Sequence, residues 1–189
     1  MESLSEADKL FIMVGRCLTA WNRVEEGILN LIEYACTRQD NMVDEIAYGY
    51  WSVVSFEARL KWCAAIVNMR TTDPGYEAIN AEWNTLQSYL SKKAQKRAEI
   101  AHGSVVELSG YLPGFYAFFQ KHASIYANER QKNIITSKFP SFQQNHKPLS
   151  VSELTDRENS FAEAEKRVFN FGAAWRLKDT ELEHPSQGY

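Results

Sequence analysis

Residues 97–103, RAEIAHG, place an arginine and a histidine five positions apart and follow them with a glycine. Histidine exchanges protons near neutral pH, and arginine holds a phosphate or a developing negative charge. The pair Arg97 and His102 therefore suits metal-independent RNA cleavage, in which a ribose 2′-hydroxyl attacks the adjacent phosphate. On an ideal helix this spacing rotates the second side chain by about 140° and advances it by about 7.5 Å. The two side chains therefore do not share a face. Both can still line one cleft at the helix end, particularly where a second subunit packs its own copy against them.

An ordinary helix end also explains these residues. A histidine in the last turn interacts favourably with the helix dipole, and Gly103 is a usual stop signal. One arginine and one histidine at this spacing occur often by chance. On spacing alone, the helix-end interpretation is favoured.

Three lysines precede the pair, at Lys92, Lys93 and Lys96. They would steer an RNA backbone toward the site and are candidate RNA-binding residues. A solvated helix face is the more frequent meaning of such a run. Aromatic side chains further along could stack on bases, although packing of a small sheet explains them more simply; they are Tyr111, Phe115, Tyr116, Phe118 and Phe119.

Glu25 is a candidate supporting residue for Arg97. Arg97 continues the apolar row of its helix, where an unpaired charge is costly. Glu25 is the charged member of the row Phe11, Leu18, Glu25 and Ile32 in the first helix. The two rows predict a buried or half-buried ion pair. Equally, Glu25 could reach solvent from the edge of its row.

Four long helices must position these residues. In the first, apolar residues step by three and four along one face: Leu10, Val14, Cys17, Trp21, Val24, Ile28, Leu31 and Ala35. Ser5 with Asp8 and Ser150 with Glu153 form capping boxes that predict the starts of the first and fourth helices. A short helical piece ends near Gly49, and the second long helix covers about 55–69. Asp73 is expected to cap the third, which Gly103 ends.

The segment of about 104–149 is different in character. SVVEL, GFYAFFQ and NIITSKF are aromatic and β-branched and are separated by turn residues, which predicts an antiparallel hairpin or meander. The fold class is therefore all-α, a four-helix up-down bundle with a small β insertion between helices three and four. We expect one domain over 1–189, with a frayed tail at about 181–189.

Composition narrows the possible functions. With 189 residues, 44% apolar and 24% charged, the chain matches one globular domain. No apolar run is long enough to span a membrane, and the first ten residues lack a signal-peptide pattern, which predicts a cytoplasmic protein. The three cysteines, Cys17, Cys36 and Cys63, are expected as reduced core residues. Metal-ligand and nucleophile motifs are missing from the sequence, so neither a metal nor a cofactor is expected.

The stretch RAEIAHG, at the end of a bundle helix that follows WNRVEEGILNLI, resembles the signature of the HEPN superfamily, helical bundles with an R-x4-6-H motif. The resemblance implies a dimeric, metal-independent ribonuclease of a toxin, antiphage or stress system, with Arg97 and His102 as catalytic residues. It also implies a cognate antitoxin or nucleotidyltransferase as partner. Glu25 is similar to an acidic residue often seen in the first helix of the family. One departure is Ala98, where active relatives usually carry a polar residue, often asparagine.

Two functions follow as expectations. The first is a metal-independent endoribonuclease of HEPN type that acts as a homodimer. The alternative is a catalytically degenerate HEPN-like protein that binds RNA, a nucleotide or a protein partner. A purely structural helical dimer is a third possibility.

Overall fold

A computed structural model describes residues 4–36, 43–107, 116–119 and 149–183. In these ranges the chain is mostly helical, which confirms the all-α class. The helices are α1 (Glu6–Cys36), α2 (Val43–Ser52), α3 (Phe56–Arg70), α4 (Glu77–Ala101) and α5 (Val151–Glu183), and the strands are β1 (Ser104–Glu107) and β2 (Tyr116–Phe119). Across these ranges, none of the helices has the length and apolar character needed to cross a membrane.

Both predicted capping boxes are present. The backbone N–H of Asp8 donates to Ser5 Oγ at 3.1 Å, and the N–H of Ser5 donates to Asp8 Oδ2 at 3.3 Å. At the start of α5 the same exchange joins Glu153 N–H to Ser150 Oγ at 3.2 Å and Ser150 N–H to Glu153 Oε2 at 2.9 Å. Each box satisfies backbone donors that the first helical turn leaves without partners.

The start of α4 differs from the prediction. Asp73 does not cap this helix, because α4 begins at Glu77 and the N–H of Asn80 bonds to Tyr76 O at 2.9 Å. Before it, Gly75 has φ of 101°, which residues with a Cβ rarely adopt. Its N–H donates to the Glu77 carboxylate at 3.1 Å. Asp73 therefore belongs to the turn that leads into α4.

The contacts divide the chain into two compact units, each with its own buried side chains. Unit 1 comprises the described residues of Met1–Thr19 and Gln95–Asn159, and unit 2 those of Ala20–Ala94 and Ser160–Tyr189. The largest fully buried side chains of unit 2 are Trp21, Trp83, Trp175, Tyr50, Phe161, Phe171, Ile28, Ile32, Leu60 and Leu90. Trp21 and Ile28 belong to the apolar row predicted for α1.

Within unit 2, α1 and α3 run in the same direction. Near the start of α3, the Phe56 ring packs edge-on against the Trp21 ring of α1, with ring centroids 4.7 Å apart. Further along both helices, Arg70 Nε donates to the carbonyl oxygen of Ala35 at 2.9 Å. Neighbouring helices of an up-down bundle are antiparallel. This pair therefore departs from the predicted up-down order of the four long helices, and residues 37–55, which include α2, lie between the two in the chain.

Helix α5 runs parallel to α1 and antiparallel to α4 within unit 2. Trp21 meets Phe161, with centroids 5.3 Å apart, and Tyr34 meets Trp175 at 5.5 Å, so α1 and α5 advance together. On α4, Trp83 lies 5.3 Å from Phe171, centroid to centroid, whereas the later Lys93 bonds to the earlier Ser160. The three long helices α1, α3 and α5 thus share one direction in this unit, and α4 runs against them.

Unit 1 contains the strand pair. β1 and β2 are antiparallel, with Ser104 opposite Phe119 and Glu107 opposite Tyr116. The N–H of Leu149 donates to Phe118 O at 2.7 Å, which places the residues before α5 beside β2. The buried residues of this unit are Leu10, Met13, Cys17, Ile100, Phe118, Leu149 and Leu154. Short strands are present inside two of the predicted segments, SVVEL and GFYAFFQ, at Ser104–Glu107 and Tyr116–Phe119. The rest of these two segments, NIITSKF and Tyr111 lie outside the described residues.

The cysteines divide into two kinds. Cys17 and Cys63 are fully buried free thiols, as predicted. Cys36, at the last residue of α1, is exposed, so its predicted core position is wrong. A periodic row extrapolated to the end of a helix loses its neighbours there, which explains the difference.

Candidate functional site

Arg97 lies on α4, four residues before its last residue, Ala101. Its side chain is half-buried, and its Nε is shielded from solvent without a hydrogen-bond partner among the described residues. The ion pairs formed by the described residues do not include Arg97. A shielded donor without an acceptor costs about 1–3 kcal/mol. Arg97 therefore keeps one N–H donor, at Nε, without an acceptor among the described residues.

The nearest acid in sequence, Glu99, is engaged elsewhere. Arg157 Nη1 donates to Glu99 Oε2 at 2.9 Å, and Lys96 Nζ lies 3.4 Å from Glu99 Oε1. Two cations thus share one carboxylate within unit 1. This arrangement helps to explain why Arg97 has no carboxylate partner among the described residues.

His102 is exposed and follows the last residue of α4. Its backbone N–H donates to Ala98 O at 3.1 Å, and the N–H of Gly103 donates to Ile100 O at 3.1 Å. Helical bonding therefore continues to His102 and stops at Gly103, as the helix-end interpretation predicts. Arg97 is half-buried and His102 is exposed, so the two side chains have different surroundings at this helix end.

The three predicted RNA-binding lysines have different surroundings. Lys92 and Lys96 are exposed. Lys93 is half-buried: its Nζ donates to Ser160 Oγ, and it lies 4.9 Å from the Tyr89 ring centroid. Lys93 therefore contributes to packing between α4 and α5, and Lys92 and Lys96 are the better placed to meet a phosphate backbone.

Glu25 forms a buried ion pair, but its partner is Arg59. Only 5% of Glu25 is exposed, and Arg59 Nη1 donates to Glu25 Oε2. Trp21 Nε1 donates to Glu25 Oε1 at 2.7 Å, and the Tyr50 hydroxyl donates to the Glu25 backbone carbonyl at 2.8 Å. Of the two interpretations of Glu25 left open by the sequence, the structure shows the buried ion pair. The prediction that Arg97 is its partner is corrected, because Arg59 on α3 fills that role.

Arg59 is held on several sides. Its Nε donates to Val53 O at 2.8 Å, and its guanidinium carbon lies 5.1 Å from the Tyr50 ring centroid and 4.7 Å from that of Trp51. Burial and the nearby Glu25 carboxylate raise the pKa of Tyr50 well above its usual range, so this hydroxyl remains a donor. Sequence reasoning missed Arg59, since its contact with Glu25 becomes evident only once α1 and α3 are known to be parallel.

Across 4–36, 43–107, 116–119 and 149–183, His, Cys, Asp and Glu side chains do not form a group of three or more that could hold a metal ion. Of the four histidines, His102 alone lies in these ranges.

Comparison with known proteins adds no homologue to these observations. No protein-family profile, curated protein or solved structure matches this chain.

Proposed function

We propose that this protein is a metal-independent endoribonuclease of HEPN type, built on a single HEPN-like helical domain. The observation that carries the proposal is the half-buried side chain of Arg97, whose Nε–H has no acceptor among the described residues, followed five residues later by the exposed side chain of His102. A phosphate would satisfy the shielded Nε–H, and arginine offers a planar fork that matches phosphate oxygens.

In this proposal His102 takes the proton of a ribose 2′-hydroxyl. The 2′-oxygen then forms a bond to the adjacent phosphorus, the bond from phosphorus to the 5′-oxygen breaks, and the 5′-oxygen takes up a proton. The products are a 2′,3′-cyclic phosphate and a 5′-hydroxyl. Arg97 stabilises the negative charge that grows on the phosphoryl oxygens, and Lys92 and Lys96 attract the RNA backbone.

The proposal includes a homodimer. Arg97 and His102 face different ways on one helix, and a second copy packed around a two-fold axis can bring one chain's arginine near the other chain's histidine. Glu25 supports the fold through Arg59 and does not take part in the chemistry. A toxin, antiphage or stress role in the cytoplasm, with a cognate antitoxin or nucleotidyltransferase, completes the proposal.

One observation favours the alternative, a degenerate HEPN-like protein that binds RNA, a nucleotide or a protein partner. Ala98 is exposed beside Arg97 and offers no polar group, where active relatives usually carry one. A protein with Arg97 intact and this position apolar would still bind phosphate.

The decisive test is cleavage of single-stranded RNA by the purified protein in excess EDTA. We expect products with cyclic phosphate or 3′-phosphate ends, and loss of activity in His102→Ala and Arg97→Lys without loss of helical circular dichroism. Arg167→Lys is the matched control, because Arg167 is a half-exposed arginine on α5 paired with Glu163.

The Ala98→Asn variant separates the two functions if the parent is inert. Gained cleavage would identify a degenerate nuclease. RNA binding without gained cleavage would support the binding protein, and a protein that neither cleaves nor binds RNA would refute both.

A further inference from the structure

A groove lies between the parallel helices α1 and α5 in unit 2. It has a volume of about 390 Å³ and is lined by side chains of both helices, among them Asn30, Glu33, Phe169 and Arg176. Pockets for small ligands begin at about 300 Å³. The groove is therefore large enough for one small organic molecule.

Two glycines allow the helices to approach closely beneath this groove. A Cβ on Gly27 would lie 2.9 Å from Val168 Cγ1, and a Cβ on Gly172 would lie 2.9 Å from Leu31 Cδ2. Each helix thus places an aliphatic side chain against the other helix's glycine. The floor of the groove is apolar and closely packed.

Aromatic and polar groups line the rest of the groove. Phe169 is 71% exposed, so a face of its ring is open to a planar partner. The exposed Asn30 amide offers both a donor and an acceptor. Glu33 is half-buried, and burial raises the pKa of its carboxyl. Arg176 supplies a positive charge.

Neighbouring contacts hold Arg176 in place. Its guanidinium carbon lies 4.8 Å from the Tyr34 ring centroid. The Tyr34 hydroxyl donates to Asp179 Oδ2 at 2.5 Å, and the Tyr76 hydroxyl donates to Asp179 Oδ1 at 2.5 Å. Because Asp179 orients the Tyr34 ring, the arginine that stacks on it is positioned at the end of the groove.

We propose that this groove binds one ribonucleotide unit, with the base stacked on Phe169, its edge bonded to Asn30, a ribose hydroxyl bonded to Glu33 and the phosphate bonded to Arg176. Phe169 and Arg176 are seven residues apart on α5, or about 10.5 Å along the helix. This separation is comparable with the length of a mononucleotide. Carboxylates commonly accept hydrogen bonds from ribose hydroxyls, and arginine recognises phosphate.

The ribonucleotide is either free or part of an RNA strand. The groove's role in RNA recognition rests on the proposed ribonuclease function, since the groove would then bind one nucleotide of the RNA that is cut. The groove's own chemistry does not depend on Arg97 or His102. The two proposals can therefore fail separately.

Calorimetric titration with adenosine 5′-monophosphate, adenosine and 2′-deoxyadenosine 5′-monophosphate tests the site. Stacking of a base on an aromatic ring is worth about 1–3 kcal/mol, so Phe169→Ala should weaken monophosphate binding about 5- to 150-fold. Arg176→Gln should reduce the affinity for the monophosphate to that for adenosine. The 2′-deoxy compound should bind more weakly than the ribonucleotide.

Leu177→Ala is the matched control, because Leu177 is 63% exposed on the same helix and does not line the groove. Phe169→Leu keeps apolar contact without a ring and should resemble Phe169→Ala. A hexa-adenylate titrated into His102→Ala distinguishes the sources: tighter binding than the monophosphate indicates an RNA strand, and equal binding indicates free nucleotide.

The groove proposal would be overturned if the protein does not bind the monophosphate at millimolar concentration. It would also be overturned if the parent and Phe169→Ala bind the monophosphate equally well. RNA cleavage by a protein that binds no monophosphate would overturn it and leave the ribonuclease proposal intact. Monophosphate binding that depends on Phe169 in a protein without RNA cleavage would support the groove and refute the nuclease.

Discussion

Arg59 reaches Glu25 across the interface of two parallel helices, and the two side chains keep only 11% and 7% of their surface exposed. The carboxylate also accepts from Trp21, and the guanidinium also donates to Val53 O. Both charges are therefore desolvated and bonded on several sides. Such a pair is expensive to break, because removing one partner leaves the other charged and buried.

The first prediction is that Glu25→Ala and Arg59→Ala each lower the free energy of unfolding by about 3–5 kcal/mol. Urea denaturation followed by circular dichroism measures this change. Lys61→Ala is the matched control, because the Lys61–Glu57 pair is exposed, and exposed pairs contribute about 0–1 kcal/mol. Equal stability of Arg59→Ala and Lys61→Ala would show that the buried pair contributes little.

The second prediction is that replacing Arg97 leaves the free energy of unfolding almost unchanged. Its shielded Nε–H has no acceptor among the described residues, so Arg97→Met removes an unsatisfied donor and keeps an apolar chain of similar reach. We expect a change of less than about 1 kcal/mol in the free energy of unfolding, together with loss of RNA cleavage. A loss of stability as large as that of Arg59→Ala would show that Arg97 has a structural role.

The hydrogen bonds of Asp179 are the subject of a third prediction. Tyr34 and Tyr76 donate to its two carboxylate oxygens, and 4% of Asp179 is exposed. Hydrogen bonds to charged groups contribute about 1.5–3 kcal/mol, so Tyr34→Phe and Tyr76→Phe should each cost that much in unfolding free energy. Since both act on one carboxylate, the double variant should be non-additive by about 0.5–3 kcal/mol.

Tyr48→Phe is the control for these variants, because Tyr48 is 79% exposed. Its stability should stay within about 0.5 kcal/mol of the parent. Strict additivity of the two buried substitutions would contradict a shared carboxylate.

Alkaline pH should weaken the protein through Cys17. Burial raises the pKa of this thiol from 9.0 to about 11. The folded state therefore holds the proton more tightly than the unfolded state, and the stability this provides is full below about pH 9 and is lost as the pH rises toward about 11. Unfolding free energies measured between these limits should fall less steeply for Cys17→Ala. Parallel curves for parent and variant would contradict the prediction.

The last prediction concerns three glycines. Gly27→Ala would place a Cβ 2.9 Å from Val168, a stiff β-branched side chain, and should cost about 1–3 kcal/mol of unfolding free energy. Gly172→Ala meets the far end of Leu31, which can rotate away, and should cost less. Gly15→Ala meets nothing within 4 Å and should stabilise α1 by about 0.5–1 kcal/mol. Thermal unfolding of the three variants tests this order, and destabilisation by Gly15→Ala would contradict it.

The apolar periodicity and the helix ends could be predicted from the sequence, because they depend on interactions between residues that are close together in the chain. The row from Leu10 to Ala35, the boxes at Ser5 and Ser150 and the stop at Gly103 each depend on residues within about one helical turn. These predictions are confirmed. Asp73 is an exception. It is a residue type suited to capping a helix, but it lies in the turn before α4 and does not cap it.

The apolar row of Glu25 left a buried ion pair and a solvent-exposed carboxylate equally open, and it did not identify the partner. The sequence offers several cations that could approach it, and the choice depends on which helix packs beside α1, in which direction and in which register. Arg59 and Glu25 are 34 positions apart, and their contact requires α1 and α3 to be parallel. For Arg97 and His102, the sequence determined the pair of residue types and the helix end. The tertiary structure decided that Arg97 is half-buried, with an Nε–H that has no acceptor among the described residues, and that His102 is exposed. Packing between distant segments decides such features, because burial and pairing depend on neighbours that the spacing along one helix does not specify.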